Sequence, residues 1–232
     1  SLRLTKTGAS TQELRGDDSD FSGGTDISAG SLLVNNTSGN GLGTGEVNVN
    51  TAGLLGGSGS FTAPLVVDDG GTVSPGESIG SLDTGSNTWN SGGAFTLEMS
   101  TDGSSGSAGS EWDRLAITGD LDLSGTTTND PFTINVVSMA DAADRGELAS
   151  WDKTTNATWA GFVTTTEGIT GFSADKFAFD TNDFQNALFG SFSVEQNGDD
   201  LDLNYTAIPE PSSLVLLGVG ALAFFARRRL SR

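Results

Sequence analysis

The chain contains neither cysteine nor histidine among its 232 residues. The absence of cysteine excludes disulfides and thiolate metal sites, so the fold must rely on packing and on backbone hydrogen bonds. The absence of histidine removes the most common general base and excludes a Ser-His-Asp triad. Basic residues are also scarce: residues 1–208 hold seven of them against 29 acidic residues, which gives this part a net charge of −22. A body this acidic repels nucleic acid, and we expect no nucleic-acid partner.

Glycine, in contrast, is plentiful, and its 33 residues separate short segments in which apolar and polar residues alternate. Alternation with a period of two predicts β-strands, and Gly-Gly, Asn-Gly and Asp-Gly pairs between them predict turns. No segment before Ser212 shows a sustained helical period. The sequence therefore predicts an all-β protein. The predicted strands are 31–36, 46–50, 65–68, 72–74, 94–99, 114–118, 120–124, 132–138, 191–196 and 201–206.

Short strands at regular spacing can form a sandwich, a barrel or a solenoid. Within 31–86 the pattern favours a parallel β-helix, because asparagines stand at strand ends, where they can form ladders from coil to coil. We therefore predict a β-solenoid over 1–138 and an irregular, aromatic-rich capping region over 139–207. A β-sandwich is the alternative for 94–206. The asparagines concerned are Asn35, Asn36, Asn48 and Asn50.

The last segment, 208–232, has three parts. Pro209-Glu210-Pro211 precedes an uncharged run, 212–226, and Arg227-Arg228-Arg229 follows it. As a single hydrophobic helix this run would rise roughly 22 Å, which spans the roughly 30 Å hydrocarbon core only if the bilayer thins and the arginines snorkel. A basic cluster beside an apolar segment stays in the cytoplasm, so the body is expected across the membrane. The alternative is a short amphipathic or buried helix at the end of a soluble domain.

These three parts, in this order and at the C-terminus, resemble the PEP-CTERM sorting signal of Gram-negative bacteria. The resemblance implies that an exosortase recognises Pro209-Glu210-Pro211, cleaves nearby and passes the protein towards the cell exterior. It implies an inner-membrane anchor through 212–226 in transit, with the body in the periplasm and Arg227-Arg228-Arg229 retained on the cytoplasmic side. The mature form is then expected at the cell surface or outside the cell, with exopolysaccharide as a candidate partner.

Motifs of glycine and small residues recur in the N-terminal third, at 4–8, 20–27, 29–36, 55–61 and 73–76. They resemble the autotransporter-associated β-strand repeat, and the resemblance extends over about 2–86. It implies a right-handed parallel β-helix, as in secreted passenger domains. The chain departs from the repeat at 11–15, where Thr-Gln-Glu-Leu-Arg replaces the usual apolar start, so we expect a frayed or truncated first coil.

Few residues are candidates for ligand binding or catalysis. Trp151 and Trp159 could stack on the faces of a carbohydrate, although two tryptophans in an aromatic-rich segment fit a core or cap better. Asp113 could be a catalytic acid. A structural role explains it better, either capping the turn into 114–118 or pairing with Arg114.

No cofactor is expected, and any association with calcium is expected to be weak. Calcium prefers oxygen ligands, but the carboxylates of this chain match neither the Asp-x-Asp-x-Asp-Gly loop nor a tandem Gly-Gly-x-Gly-x-Asp array. Solvated loop charge is therefore the favoured interpretation. The carboxylates concerned are Asp17, Asp18, Asp20, Asp68, Asp69, Asp199, Asp200 and Asp202.

The favoured function is that of a non-enzymatic exported protein of the cell surface or extracellular matrix. One alternative is an adhesin or carbohydrate-binding passenger, and the other is a polysaccharide lyase or hydrolase, since parallel β-helices host such enzymes. A cleft with converging carboxylates and a basic residue would favour the enzyme. Because the chain begins at Ser1 without an export signal, we expect it to derive from a longer precursor.

Overall fold

The computed structural model describes residues 1–208; residues 209–232, and with them the predicted C-terminal hydrophobic helix, lie outside the described residues. Within 1–208 the only helix is a 3₁₀ turn at Ala174–Lys176, which confirms an all-β fold for this part. No helix in this part is long and apolar enough to cross a membrane. The strands are β1 (Leu4–Lys6), β2 (Thr11–Leu14), β3 (Thr25–Val34), β4 (Val47–Gly57), β5 (Leu65–Val67), β6 (Thr72–Pro75), β7 (Ser81–Thr84), β8 (Asn87–Trp89), β9 (Ala94–Met99), β10 (Arg114–Ile117), β11 (Leu121–Asp122), β12 (Phe132–Ser138), β13 (Ala157–Thr165), β14 (Ile169–Thr170), β15 (Phe177–Asp180), β16 (Gly190–Asn197) and β17 (Asp200–Ala207).

Parallel pairing between successive coils organises these strands into three faces. β3 and β4 each contribute to two faces: β4 pairs with β5 before residue 50 and with β6 after residue 53. The turn between the two halves of β4 lies at Thr51, whose φ of 57° is in the left-handed region. The third face contains β7, β10 and β13, which pair in parallel. The arrangement is of the parallel β-helix type.

Parallel coils continue through the second half of the chain. β12 pairs in parallel with both β9 and β15, and β13 pairs in parallel with β10. The β-sandwich alternative for 94–206 is therefore wrong. Among the described strands, antiparallel pairing is confined to β13 with β17 and to the hairpin of β16 and β17. That hairpin turns at Gly198-Asp199, where the glycine has a φ of 66°.

Inward-facing side chains stack in columns from one coil to the next. The register places Ile27, Val49, Val67 and Trp89 at the same position of four coils, and all four are fully buried. The Trp89 ring stacks on Phe132, with centroids 4.4 Å apart and an interplanar angle of 8°. The alternation seen in the sequence thus supplies a continuous apolar core along the solenoid axis.

The first coil is paired, contrary to the expectation that it is frayed or truncated. β1 and β2 both pair in parallel with β3. Lys6 occupies the inward position at the start of the column and is 7% exposed. Its Nζ donates to the carbonyl oxygens of Gly8 at 2.7 Å and Ala29 at 2.9 Å. These bonds satisfy a charged group that would otherwise oppose ordering of this coil.

Two of the four predicted ladder asparagines connect neighbouring coils. Asn35 Oδ1 accepts the backbone N–H of Ser58 at 2.9 Å, and Asn36 Oδ1 accepts that of Ser60 at 2.8 Å. Asn48 instead donates to Glu46 within its own segment, and Asn50 Oδ1 accepts the hydroxyl of Thr51. The ladder prediction is confirmed for the first pair and is wrong for the second, whose side chains have partners close in sequence.

Aromatic residues gather around the last coil, as the sequence predicts. The rings of Trp151 and Tyr205 have centroids 4.7 Å apart, and those of Phe184 and Phe192 are 5.6 Å apart. Parallel pairing nevertheless runs across the predicted boundary at 138/139, because β12 pairs with β15. The division into 1–138 and 139–207 stays a prediction.

Candidate functional site

Trp151 and Trp159, the candidate carbohydrate contacts, stack on each other with ring centroids 6.2 Å apart. Trp159 is fully buried, and its Nε1 donates to the carbonyl oxygen of Thr101 at 2.8 Å. Trp151 is partly buried against Tyr205, and its Nε1 donates to the carbonyl oxygen of Ala187 at 2.9 Å. The two rings therefore form no open platform, because Trp159 offers no face to a ligand. Burial of aromatic surface in the last coil explains the pair.

A cleft of about 260 Å³ lies on the outer face of the sheet formed by β9, β12 and β15. Thr96, Asn135 and Asp180 occupy the same register position on these three strands and so form one row. Arg145, from the loop after β12, lines the cleft, and its Nη1 donates to Asp183 Oδ2 at 2.9 Å. The cleft therefore combines hydrogen-bond donors and acceptors, which suits a hydroxyl-rich ligand.

Glu98 stands on β9 beside this cleft, with its side chain 12% exposed. Its Oε1 lies 3.9 Å from Nη2 of Arg145, which is too long for a hydrogen bond. Burial raises the pKa of Glu98 above its ordinary value, and the positive charge of Arg145 offsets this only in part. A carboxyl group with a raised pKa beside an arginine occurs both in functional clefts and in structural ion pairs, so the raised pKa alone does not assign a role to Glu98.

Asp113 has no exposed surface. Its Oδ1 accepts the backbone N–H of Gly80, and its Oδ2 accepts that of Glu98, each at 2.9 Å. Burial raises the pKa of Asp113 well above its ordinary value, while these two hydrogen bonds act in the opposite direction. The side chain therefore has a structural role. The predicted pairing with Arg114 is wrong, since that guanidinium faces Ser81 and Asp83.

The candidate calcium ligands do not converge. No group of three or more acidic side chains within 1–208 is arranged to hold a metal ion. Several of these carboxylates accept hydrogen bonds from protein donors instead. Asp17 accepts the backbone N–H of Thr37, Asp68 accepts the amide of Asn90, and Asp202 accepts the backbone N–H of Gly161.

The C-terminal strand ends next to the candidate sorting signal. Ala207 is the last residue of β17, and its N–H donates to Asn156 Oδ1 at 3.0 Å. The N–H of Ile208 donates to the carbonyl oxygen of Phe189 at 2.7 Å. The body is therefore hydrogen-bonded up to the residue before Pro209. The signal residues themselves, Pro209, Glu210, Pro211, Arg227, Arg228 and Arg229, lie outside the described residues.

The fold defines a repeat protein of the parallel β-helix type whose body leads directly into a C-terminal signal. A family model described as Passenger-associated-transport-repeat matches residues 4–34, which covers β1, β2 and β3. A second, the PEP-CTERM protein-sorting motif, matches residues 207–229. Both resemblances seen in the sequence are confirmed, the first over 4–34 of the 2–86 that were expected. The sorting motif implies an exported protein that is sorted by an exosortase to the cell surface or exterior. No curated protein matches the chain.

Sequence reasoning did not single out the residues of the cleft. Glu98 points outwards from β9 and so leaves the apolar alternation of that strand intact, although its side chain is largely buried. Arg145 and Asp183 lie 38 residues apart in the chain. One signal was present: Arg145 is one of only seven basic residues in 1–208, and such a scarce residue type is a candidate for a specific contact.

Proposed function

We propose that the chain is a non-enzymatic component of the cell surface or extracellular matrix, built on a right-handed parallel β-helix. In transit, 212–226 anchors it in the inner membrane, with the body in the periplasm and Arg227-Arg228-Arg229 in the cytoplasm. An exosortase then cuts near Pro209-Glu210-Pro211 and releases the body. Right-handed coiling is supported by the general rule that crossover connections between parallel strands are right-handed in about 98% of cases.

The position of the sorting motif relative to the last strand is the observation that supports this proposal most directly. The match to the motif begins at residue 207, where β17 ends. All eight residue pairs of the β16–β17 ladder lie before Ile208. A cut at or beyond Pro209 therefore leaves the described body with its strand pairing intact. The mature protein can therefore lose the signal and keep its fold.

The surroundings of the carboxyl groups support a non-enzymatic role. Asp113 has a strongly raised pKa but no surface through which a substrate could reach it. Glu98 is largely buried, and Asp183, across the cleft, is engaged by Arg145 at 2.9 Å. Hydrolysis of a glycoside needs two carboxyl groups that both reach the scissile bond. This arrangement favours a structural ion pair over a catalytic pair.

Replacing Pro209-Glu210-Pro211 by three alanines tests the sorting. The wild type is expected at the surface or in the medium, whereas the variant is expected to accumulate in the inner-membrane fraction. Ser191→Ala, an exposed change in the body, is the control and is expected to follow the wild type. Unchanged surface delivery of the triple-alanine variant would contradict the proposal.

Incubation of the purified chain with a panel of polysaccharides tests the absence of activity. We expect neither new reducing ends nor unsaturated products. If products appear and Glu98→Gln abolishes them while the fold is retained, the protein is an enzyme and the non-enzymatic proposal is wrong.

The cleft favours a second candidate function, which is binding of exopolysaccharide or another hydroxyl-rich polymer. Asn135 and Arg145 supply donors there, and Asp180 supplies an acceptor. Affinity electrophoresis in gels containing the polymer should show retardation that Arg145→Ala and Asn135→Ala weaken. Thr133→Ala, on the same strand but outside the lining of the cleft, is the control. Equal retardation of all variants would exclude the cleft.

A further inference from the structure

We propose that one end of the β16–β17 hairpin is a lipid-contact surface, which lies against the bilayer while the C-terminal segment spans it. This inference rests on the transit anchor proposed above. The surface consists of Phe189, Ile208 and Lys153, and we call it the exit patch. Its occupant is the headgroup and upper acyl region of the membrane that holds 212–226.

The two apolar side chains of the exit patch lie opposite each other on the hairpin. Gly190 pairs with Ala207 in the antiparallel ladder, and the N–H of Ile208 donates to the carbonyl oxygen of Phe189. Phe189 and Ile208 thus extend the ladder by one pair, and directly opposed residues project from the same face. They are 43% and 65% exposed. Within the described residues Leu2, in the first coil, is the other large apolar side chain with such exposure.

Hydrogen bonds hold the three segments of the exit patch together. The hydroxyl of Tyr205 accepts the N–H of Phe189 at 2.8 Å and donates to the carbonyl oxygen of Lys153 at 3.0 Å. The Nζ of Lys153 lies 3.8 Å from the centroid of the Phe189 ring. The apolar surface and the positive charge are therefore fixed side by side, as in residues that lie at a membrane interface.

Chain length keeps the exit patch near the membrane. Three residues lie between Ile208 and Ser212, where the uncharged run begins, and the four residue steps from one to the other span at most about 14 Å when fully extended. The polar interface of a bilayer is roughly 5–8 Å thick on each side. With the uncharged run in the membrane, the exit patch is within reach of the lipid headgroups.

Charge favours this face over the rest of the body. The acidic surface of 1–208 is repelled by anionic lipids, whereas Lys153 places a positive charge at the exit patch. The neighbouring carboxylate of Asp152 is turned back to the N–H and hydroxyl of Thr154. Along β16 the next carboxylate, Glu195, is six residues from Phe189 and accepts the amide of Asn204. The exit patch is thus the apolar and cationic end of an acidic hairpin.

The test uses the full chain reconstituted in vesicles of phosphatidylethanolamine and phosphatidylglycerol. Because the chain has no cysteine, single substitutions give unique labels: Ser191→Cys beside the exit patch, Thr7→Cys in the first coil, and Ser231→Cys near the C-terminus. The measurement is quenching of a fluorophore at each position by lipids with a spin-labelled headgroup. An insert of about eight Gly/Ser residues after Ile208 loosens the tether by roughly 15 Å, so proximity then depends on contact rather than on chain length.

With the insert present, we expect quenching at position 191 but not at position 7. Phe189→Ser combined with Ile208→Ser should weaken the contact about tenfold, because two exposed apolar side chains no longer enter the interface. Leu2→Ser, an equally exposed apolar change in the first coil, should leave it unchanged. Lys153→Glu should reduce quenching on these anionic vesicles but not on phosphatidylcholine. Circular dichroism confirms that each variant keeps its β fold.

Two failures can be distinguished. If the label at position 231 shows no association with vesicles, the transit anchor itself is wrong. If that label associates but position 191 is unquenched with the insert, or is quenched equally in the Phe189/Ile208 variant, the exit patch makes no lipid contact and this inference is wrong. Quenching that appears only when an exosortase is also present would reassign the exit patch to that enzyme and would equally overturn the inference.

Discussion

The carboxylate of Asp113 accepts the backbone N–H of Glu98 at 2.9 Å, fully inside the solenoid. Its other oxygen accepts the N–H of Gly80 at the same distance. One side chain at the start of β10 therefore joins β9 to the residue that precedes β7. Because Asp113 accepts the backbone N–H of Glu98, the carboxyl groups of these two residues also lie close together.

Asp113→Ala is expected to lower the free energy of unfolding by about 3 kcal/mol, because it leaves two buried N–H groups without acceptors. Urea unfolding followed by circular dichroism measures the change. Asp102→Ala, which removes an acceptor from the exposed hydrogen bonds of a surface loop, is the control and should change stability by less than about 0.5 kcal/mol. Similar stabilities for the two variants would show that the buried bonds contribute little.

Stability should fall as the pH rises through the raised pKa of Glu98. The fold favours the neutral acid, so its contribution is full below the ordinary value of 4.5 and is lost as the group ionises at higher pH. Asp113 and Asp200, whose pKa values are also raised by burial, act in the same direction. Glu98→Gln should therefore show a flatter profile of melting temperature against pH than the wild type.

In this comparison the carboxyl groups away from Glu98 cancel, including the exposed Asp141, whose pKa is lowered by hydrogen bonds from Ala143 and Asp144. The charge of Glu98 also contributes to the raised pKa of Asp113, so its removal flattens the profile further. Glu147→Gln, a change at an exposed position in the loop that contains Arg145, is the matched control and should retain the wild-type profile. A Glu98→Gln profile as steep as that of the wild type would place the pH dependence elsewhere.

The asparagine ladder should contribute measurably to stability. Asn36→Ala removes the acceptor for the Ser60 N–H and the donor to the Ser38 carbonyl at a position that is 5% exposed, so a loss of about 2 kcal/mol is expected. Asn48→Ala removes only an exposed contact with Glu46 and should be nearly neutral. Chemical unfolding of both variants gives the comparison, and equal losses would mean that the inter-coil bonds are not the cause.

Two neighbouring coils approach so closely at Gly53 that a residue with a side chain does not fit there. A Cβ added there would lie 2.1 Å from the carbonyl oxygen of Ile27, so Gly53→Ala should destabilise the solenoid by about 2–3 kcal/mol. Gly16→Ala is the matched control, because the nearest atom to its added Cβ is Ser19 Oγ at 3.8 Å. Thermal unfolding should separate the two, and a Gly53→Ala protein as stable as Gly16→Ala would show that the coils can move apart at little cost.

Period-two alternation predicted the strands well where one face is apolar throughout. All ten predicted strands overlap strands of the structure, including β9 and β12 at their observed limits. β13 was missed because Gly161, with a φ of 61°, shifts the register between Trp159 and Val163 and so breaks the alternation. β7 and β8 were missed because they are short and largely polar. Their pairing depends on neighbouring coils, which local pattern does not reveal.

The signal and the cleft differ in how far sequence could predict them. Pro209-Glu210-Pro211 and its flanking parts are contiguous, so their order alone identifies the motif. The cleft brings Arg145 and Asp183 together, with Glu98 beside it, from separate parts of the chain, and no local sequence pattern predicts that proximity. Trp159 shows the converse difficulty, since an aromatic residue suited to binding in sequence is fully buried once the coils stack.

Mass spectrometry of the mature C-terminus tests the central claim, that the chain is sorted and released through its C-terminal signal. Protein recovered from the surface or the medium should end near Pro209-Glu210-Pro211 and should lack the apolar run and Arg227-Arg228-Arg229. Protein outside the cell that still carries an intact C-terminus through Arg232 would contradict the account.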